Sequence, residues 1–96
     1  MMVTETARVP TESGAKYLRQ LCKHWSHKLE VELAGDSGTV RFPGAVARMT
    51  ADADALTVTV EAGDEATVER MKDVVACHLD RFAFRGAPLP FAWARG

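Results

Sequence analysis

The side chains able to do chemistry gather in two short stretches. The first is Cys22-Lys23-His24-Trp25-Ser26-His27-Lys28, which sets a thiol, two imidazoles and two ammonium groups in seven residues. The second runs from Cys77 to Arg81 and carries His78, the third histidine of the chain, beside a second thiol and a guanidinium. Imidazoles ligate divalent metals, and cations beside them can bind carboxylate or catecholate oxygens. His24 and His27 stand at i and i+3, so on a helix their rings occupy adjacent flanks. A closed metal site would need a third and a fourth ligand, for which His78 and Cys77 are the soft candidates. The candidate ligand-binding set is therefore Lys23, His24, His27, His78 and Arg81, with His24, His27 and His78 as the metal candidates. The competing reading is a solvated helix face whose histidines favour the helix C-terminus. In that reading His78 is a hydrogen-bonded histidine at the core boundary.

On a helical wheel Cys77 turns away from Val68, Val75 and Leu79 and toward Arg70 and Arg81. An exposed thiol among guanidiniums is the setting of a reactive cysteine. Cys22 falls on an apolar arc and reads as a small buried hydrophobe. The two cysteines face different surroundings, so no disulfide between them is expected. The chain has no G-x-S-x-G, no P-loop, no G-x-G-x-x-G and no H-E-x-x-H, and no serine has a histidine–carboxylate pair suggested for it. A non-catalytic role is favoured. Asp52 and Asp54 read as solvated turn residues.

These groups need elements to hold them. Thr4 to Val9 reads as a short strand ended by Pro10, and Thr11 or Ser13 can cap a helix after it. Leu18, Leu21, Cys22 and Trp25 fall at i, i+3, i+4 and i+7, which predicts an amphipathic helix over roughly 14–28. The period then drops to two. Leu29, Val31 and Leu33 alternate with Glu30 and Glu32, and Val40 and Phe42 alternate with Thr39 and Arg41. A strand near 46–51 comes next, and then Leu56, Val58 and Val60 alternate with Thr57, Thr59 and Glu61. Turns at Gly35–Gly38, Pro43-Gly44 and Asp52–Asp54 join them as an antiparallel meander with one wet face. Asp64 caps a second helix whose stripe is Val68, Met71, Val75, Leu79 and Phe82, ending near Phe84. The tail Ala87–Trp93 is apolar and proline-interrupted, and is expected to lie back over the core with a short edge strand. The order is β-α-β-β-β-β-α, a two-layer α+β sandwich with two helices on one face of a curved antiparallel sheet. Glu30, Glu32, Thr39, Arg41, Thr57 and Thr59 form the outer face.

Ninety-six residues make one domain over 1–96, with a core of about 4–84 and a tail of 85–96 packing back. Apolar residues at 47% and charged residues at 26% are ordinary globular composition, which excludes disorder and a disulfide scaffold. Twelve basic against thirteen acidic residues leave a net charge of −1, so overall charge drives no binding to nucleic acid or anionic membrane. The cation cluster Lys16, Arg19, Lys23 and Lys28 has Trp25 on its core side, unlike the exposed aromatics of single-strand binders. No apolar run has the length of a membrane span, and Met1 to Pro10 lacks a signal-peptide core, so a cytoplasmic location with reduced thiols is expected.

Tyr17-Leu18-x-Gln20-Leu21-Cys22-Lys23-His24-Trp25-x-His27-Lys28 and His78-Leu79-x-Arg81-Phe82-Ala83-Phe84-Arg85 together resemble a small bacterial family of unknown function, domain of unknown function 2218. The resemblance runs from about Ala7 to Trp93. Members often carry an acidic residue after the Arg85 position, where this chain has Gly86. The resemblance implies a stand-alone α+β domain, and its motifs repeat His24, His27, His78 and Arg81. Some relatives are linked to siderophore-interacting, flavin-dependent ferric reductases, which implies iron handling. The arrangement is expected to be similar to the TATA-binding-protein-like or phosphohexomutase C-terminal fold. Two functions fit these residues. One is a binding or accessory module for a small anionic molecule or metal complex. The other is a homodimerisation module using the basic first helix or a sheet edge. The cofactor is not identified by the sequence.

Overall fold

The computed structural model describes residues 2–82 and 93–95. Its elements are β1 (Val3–Pro10), α1 (Gly14–Trp25), β2 (Glu30–Ala34), β3 (Ser37–Phe42), β4 (Ala45–Ala51), β5 (Ala55–Ala62), α2 (Glu65–Phe82) and β6 (Trp93–Arg95). The strands form one open antiparallel sheet in the order β2-β3-β4-β5-β1-β6. This is the expected α+β fold, and the short edge strand expected of the tail falls at Trp93–Arg95, where β6 pairs Glu5–Ala7 of β1. The expected helix end near Phe84 and the tail at Ala87–Phe91 lie outside the described residues.

Side-chain alternation sets the layers. Ala7, Val9, Val40, Ala47, Met49, Leu56, Val58 and Val60 point inward and are almost fully buried. They meet Leu18, Leu21, Cys22 and Trp25 of α1 and Val68, Met71, Val75 and Leu79 of α2. Each large aliphatic side chain so buried contributes about 1.5–3 kcal/mol of transfer free energy. On the outer face Thr6 pairs Thr59 with their hydroxyls 3.2 Å apart. Arg41 lies 3.6 Å from Glu30 and 3.5 Å from Glu32, and Arg48 lies 3.4 Å from Glu61. The wet face expected from the alternation is therefore present and laced with ion pairs.

Two local expectations are corrected. Helix α1 ends at Trp25, not near 28. The N–H groups of both Lys28 and Leu29 donate to the Trp25 carbonyl, at 3.0 and 2.8 Å, and the Ser26 hydroxyl donates to Lys23 O at 2.8 Å. Those bonds tighten the last turn so that Leu29 can reach the core and β2 can begin at Glu30. At the other end, Ser13 occupies the N-cap position without a side-chain cap bond. The Thr11 hydroxyl instead accepts the Ser13 N–H at 3.1 Å. Asp64 does cap α2, accepting the Thr67 N–H at 2.7 Å.

Candidate functional site

Helices α1 and α2 lie side by side on the sheet and touch. His24 comes one residue before Trp25, the last buried residue of α1. His78 comes one residue before Leu79 on the buried stripe of α2. One residue is about 100° around a helix, so each imidazole stands on a flank of its helix. The two flanks face each other. The His24 and His78 ring centroids are 5.4 Å apart, tilted by 48°. His78 also lies 5.2 Å from the Trp25 ring, and Trp25 meets Phe42 edge-on at 4.9 Å. Trp25 is 5% exposed, so half-buried His78 packs on a buried aromatic ring while His24 is exposed.

His78 has a defined tautomer. Its Nδ1 lies 2.7 Å from the Val74 carbonyl oxygen, one helical turn back. A carbonyl only accepts, so Nδ1 carries the proton and Nε2 is the nitrogen that can offer a lone pair. This is the boundary histidine anticipated from the sequence, placed against a second histidine.

The other candidates distribute differently. Lys23 and Arg81 are exposed on α1 and α2, next to His24 and one turn beyond His78 respectively. His27 sits exposed in the turn after α1, because the helix stops short of it; the i, i+3 helical pairing expected for His24 and His27 does not form. Among the described residues no group of three His, Cys, Asp or Glu side chains is placed to hold a metal. Of His24, His27 and His78, the structure brings the rings of His24 and His78 together. Cys77 is exposed and Cys22 is buried, and burial pushes the Cys22 thiol up in pKa. The cationic face of α1 is partly neutralised, with Arg19 3.0 Å from Asp36.

One charged cluster escaped the sequence reading. Glu5 points inward from β1 and is only 7% exposed. Lys72 of α2 donates to it at 3.2 Å and Arg95 of β6 at 3.2 Å; Lys72 also bonds Glu69 at 2.8 Å, and Arg95 bonds Glu65. The Lys72 hydrogen bond holds the Glu5 carboxyl below the usual carboxylate range against the opposing pull of burial, and the charges of Lys72 and Arg95 add to it. The Lys72 ammonium lies 5.6 Å over the Trp93 ring. The signal was available: in Val3-x-Glu5-x-Ala7-x-Val9 an acid occupies an inward position, and a buried carboxylate needs cationic partners.

Among curated proteins none matches this chain. The NMR structure of PA4090 from Pseudomonas aeruginosa is similar at 38% identity and a TM-score of 0.83, covering 96% of this chain and 95% of that one. The sequence also matches, over residues 6–94, the family described as uncharacterized protein conserved in bacteria (DUF2218), and with both helices and all six strands wholly or largely inside that span, the chain belongs to this family.

Proposed function

We propose that this domain is a non-catalytic binding module that holds a small anionic or metal-containing ligand at the seam between α1 and α2. The observation that carries the reading is the meeting of two imidazoles from different helices, 5.4 Å apart, above a buried tryptophan. Exposed Lys23, adjacent to His24 in the chain, and exposed Arg81, one helical turn after His78, favour carboxylate, catecholate or phosphate oxygens. His27 lies exposed in the adjoining turn and is not one of the paired rings. A cytoplasmic setting, and the iron or siderophore link that the family resemblance implies, would suit such a module. The test is calorimetric titration of the untagged protein with citrate, phosphate and ferric citrate. Binding that disappears in a His24→Ala, His78→Ala double variant with an intact fold supports the reading; equal binding by that variant refutes it.

Homodimerisation is the second reading. It draws on β2, an edge strand of the sheet on which Leu33 is 49% exposed. Against it, Glu30 and Glu32 would be brought together with their copies in a β2–β2 pairing, and such charges normally guard an edge. Sedimentation at low and high salt decides: salt-sensitive dimers favour it, and a monomer at both refutes it.

A further inference from the structure

We infer that His24 and His78 form a two-imidazole site for a divalent transition metal that arrives already chelated by another molecule. The inference rests on the binding-module reading and narrows its ligand to one chemical class. Two imidazoles bound to one ion, with metal–nitrogen bonds of about 2.0–2.1 Å, place their ring centroids about 5.2 Å apart at tetrahedral positions and about 4.6 Å apart at adjacent octahedral ones, a difference that rotation of the exposed His24 side chain spans. The observed separation is 5.4 Å. The second shell is also built: the Val74 carbonyl fixes the His78 ring through Nδ1, as metal-binding imidazoles are commonly fixed, and leaves Nε2 as the ligating atom. Borderline ions such as zinc, nickel and copper prefer such nitrogens.

The incompleteness of the pair identifies the ligand further. Among the described residues no third His, Cys, Asp or Glu joins to make a ligand group. A divalent ion held here keeps at least half of its coordination positions for something else. The neighbouring side chains oppose a bare cation: α1 carries no acid, Lys23 adjoins His24, and Arg81 stands one turn after His78. Cationic surroundings attract a complex whose chelator brings carboxylates and net negative charge. Trp25, 5% exposed, packs against His78 from below and helps to fix that ring.

Nickel nitrilotriacetate is a suitable probe, being a monoanion whose metal keeps two adjacent open positions. Calorimetry on the untagged protein should show one complex bound per chain. His24→Gln should weaken binding about a hundredfold, because the second ligand acts at high effective concentration. His78→Gln should do the same, and thermal melts show whether that variant keeps its fold; exposed His24 carries the test if it does not. His27→Gln should bind as the parent does. Equal binding by His24→Gln, or loss of binding in His27→Gln, overturns the inference. If citrate and phosphate bind while the nickel complex does not, the metal site fails and the anion module stands; if none of them binds, both fail.

Discussion

Gly38 offers the sharpest check on how the sheet positions α1. It is buried on the inner face of β3, opposite Leu33 of β2 and Met49 of β4. A Cβ at this position would lie 2.6 Å from the Cys22 sulfur and 3.6 Å from a Leu18 methyl. Optimal contacts lie near about 3.5–4.0 Å, so the sulfur would have to retreat by about 1 Å. Cys22 has one side-chain torsion, sits in a helix that restricts it, and is 1% exposed. The helix itself must therefore lift. Overpacking of this kind costs about 1–3 kcal/mol. Loss of glycine's unfolded-state freedom returns about 0.4–1 kcal/mol. Gly38→Ala is thus expected to destabilise by about 1–1.5 kcal/mol, which for a domain of this size lowers Tm by roughly 5–10 °C.

The companion variant isolates the cause. Cys22→Ala alone removes one buried heavy atom and should cost about 1 kcal/mol. In that background the clash is gone and the new methyl occupies the space the sulfur left. Gly38→Ala with Cys22→Ala should therefore be at least as stable as Cys22→Ala alone, a coupling of about 1–2 kcal/mol in the direction of rescue. Urea melts followed by circular dichroism measure all four proteins. Wild-type stability for Gly38→Ala, or a coupling within about 0.5 kcal/mol of zero, would refute the close-approach argument. Because His24 lies just beyond Cys22 on the same helix, the ring resonances of His24 and His78 should shift in Gly38→Ala and return in the double variant.

Three further outcomes are expected. His78→Ala removes a ring from the Trp25 face and leaves the Val74 carbonyl without that donor; urea melts should show a loss of about 1–2 kcal/mol, and Trp25 emission should move to the red. Glu5 has its folded pKa depressed, with the Lys72 hydrogen bond as the largest cause. Its contribution is whole above the unfolded glutamate value of about 4.3 and is lost as pH falls below that, so Glu5→Gln should flatten the acid limb of a stability–pH curve. Asp64 is likewise depressed, chiefly by the Thr67 N–H; Asp64→Ala should lower Tm and fray the start of α2, seen as faster amide exchange at Thr67 and Val68, whereas Asp64→Asn keeps the cap.

The fold was legible because its two periods are clean. Leu18, Leu21, Cys22 and Trp25 at helical spacing, and Leu56, Val58 and Val60 at strand spacing, became buried stripes of α1 and β5. Boundaries set by hydrogen bonds were less visible. Nothing in Ser26-His27-Lys28 breaks a helix, yet the paired donors of Lys28 and Leu29 on one carbonyl end it, and His27 leaves the face assigned to it. Strand β6 is three residues long, too short for periodicity to register, and it is held by partners distant in sequence. At the site, types and spacings indicated His24 and His78 separately. Their meeting depends on the packing of α1 against α2, which no local pattern encodes.

Two polar clusters compete as sites, and their surroundings separate them. The Glu5 cluster is closed upon itself: a buried carboxylate takes one cation from α2 and one from β6, and each cation takes a second acid in turn. Every charge in it has an opposite partner, and a ligand entering there would have to break bonds that already satisfy the buried group. Its role is to fasten β6 and α2 to β1. The histidine pair has the opposite character. Its two rings come from different helices, with His78 packed on Trp25 and His24 exposed. Folding alone gains little from assembling like groups at a solvent-facing seam. A bound group carrying negative charge or a metal's empty coordination positions would convert that arrangement into binding energy, which is why the seam, and not the buried cluster, is the place to look for a ligand.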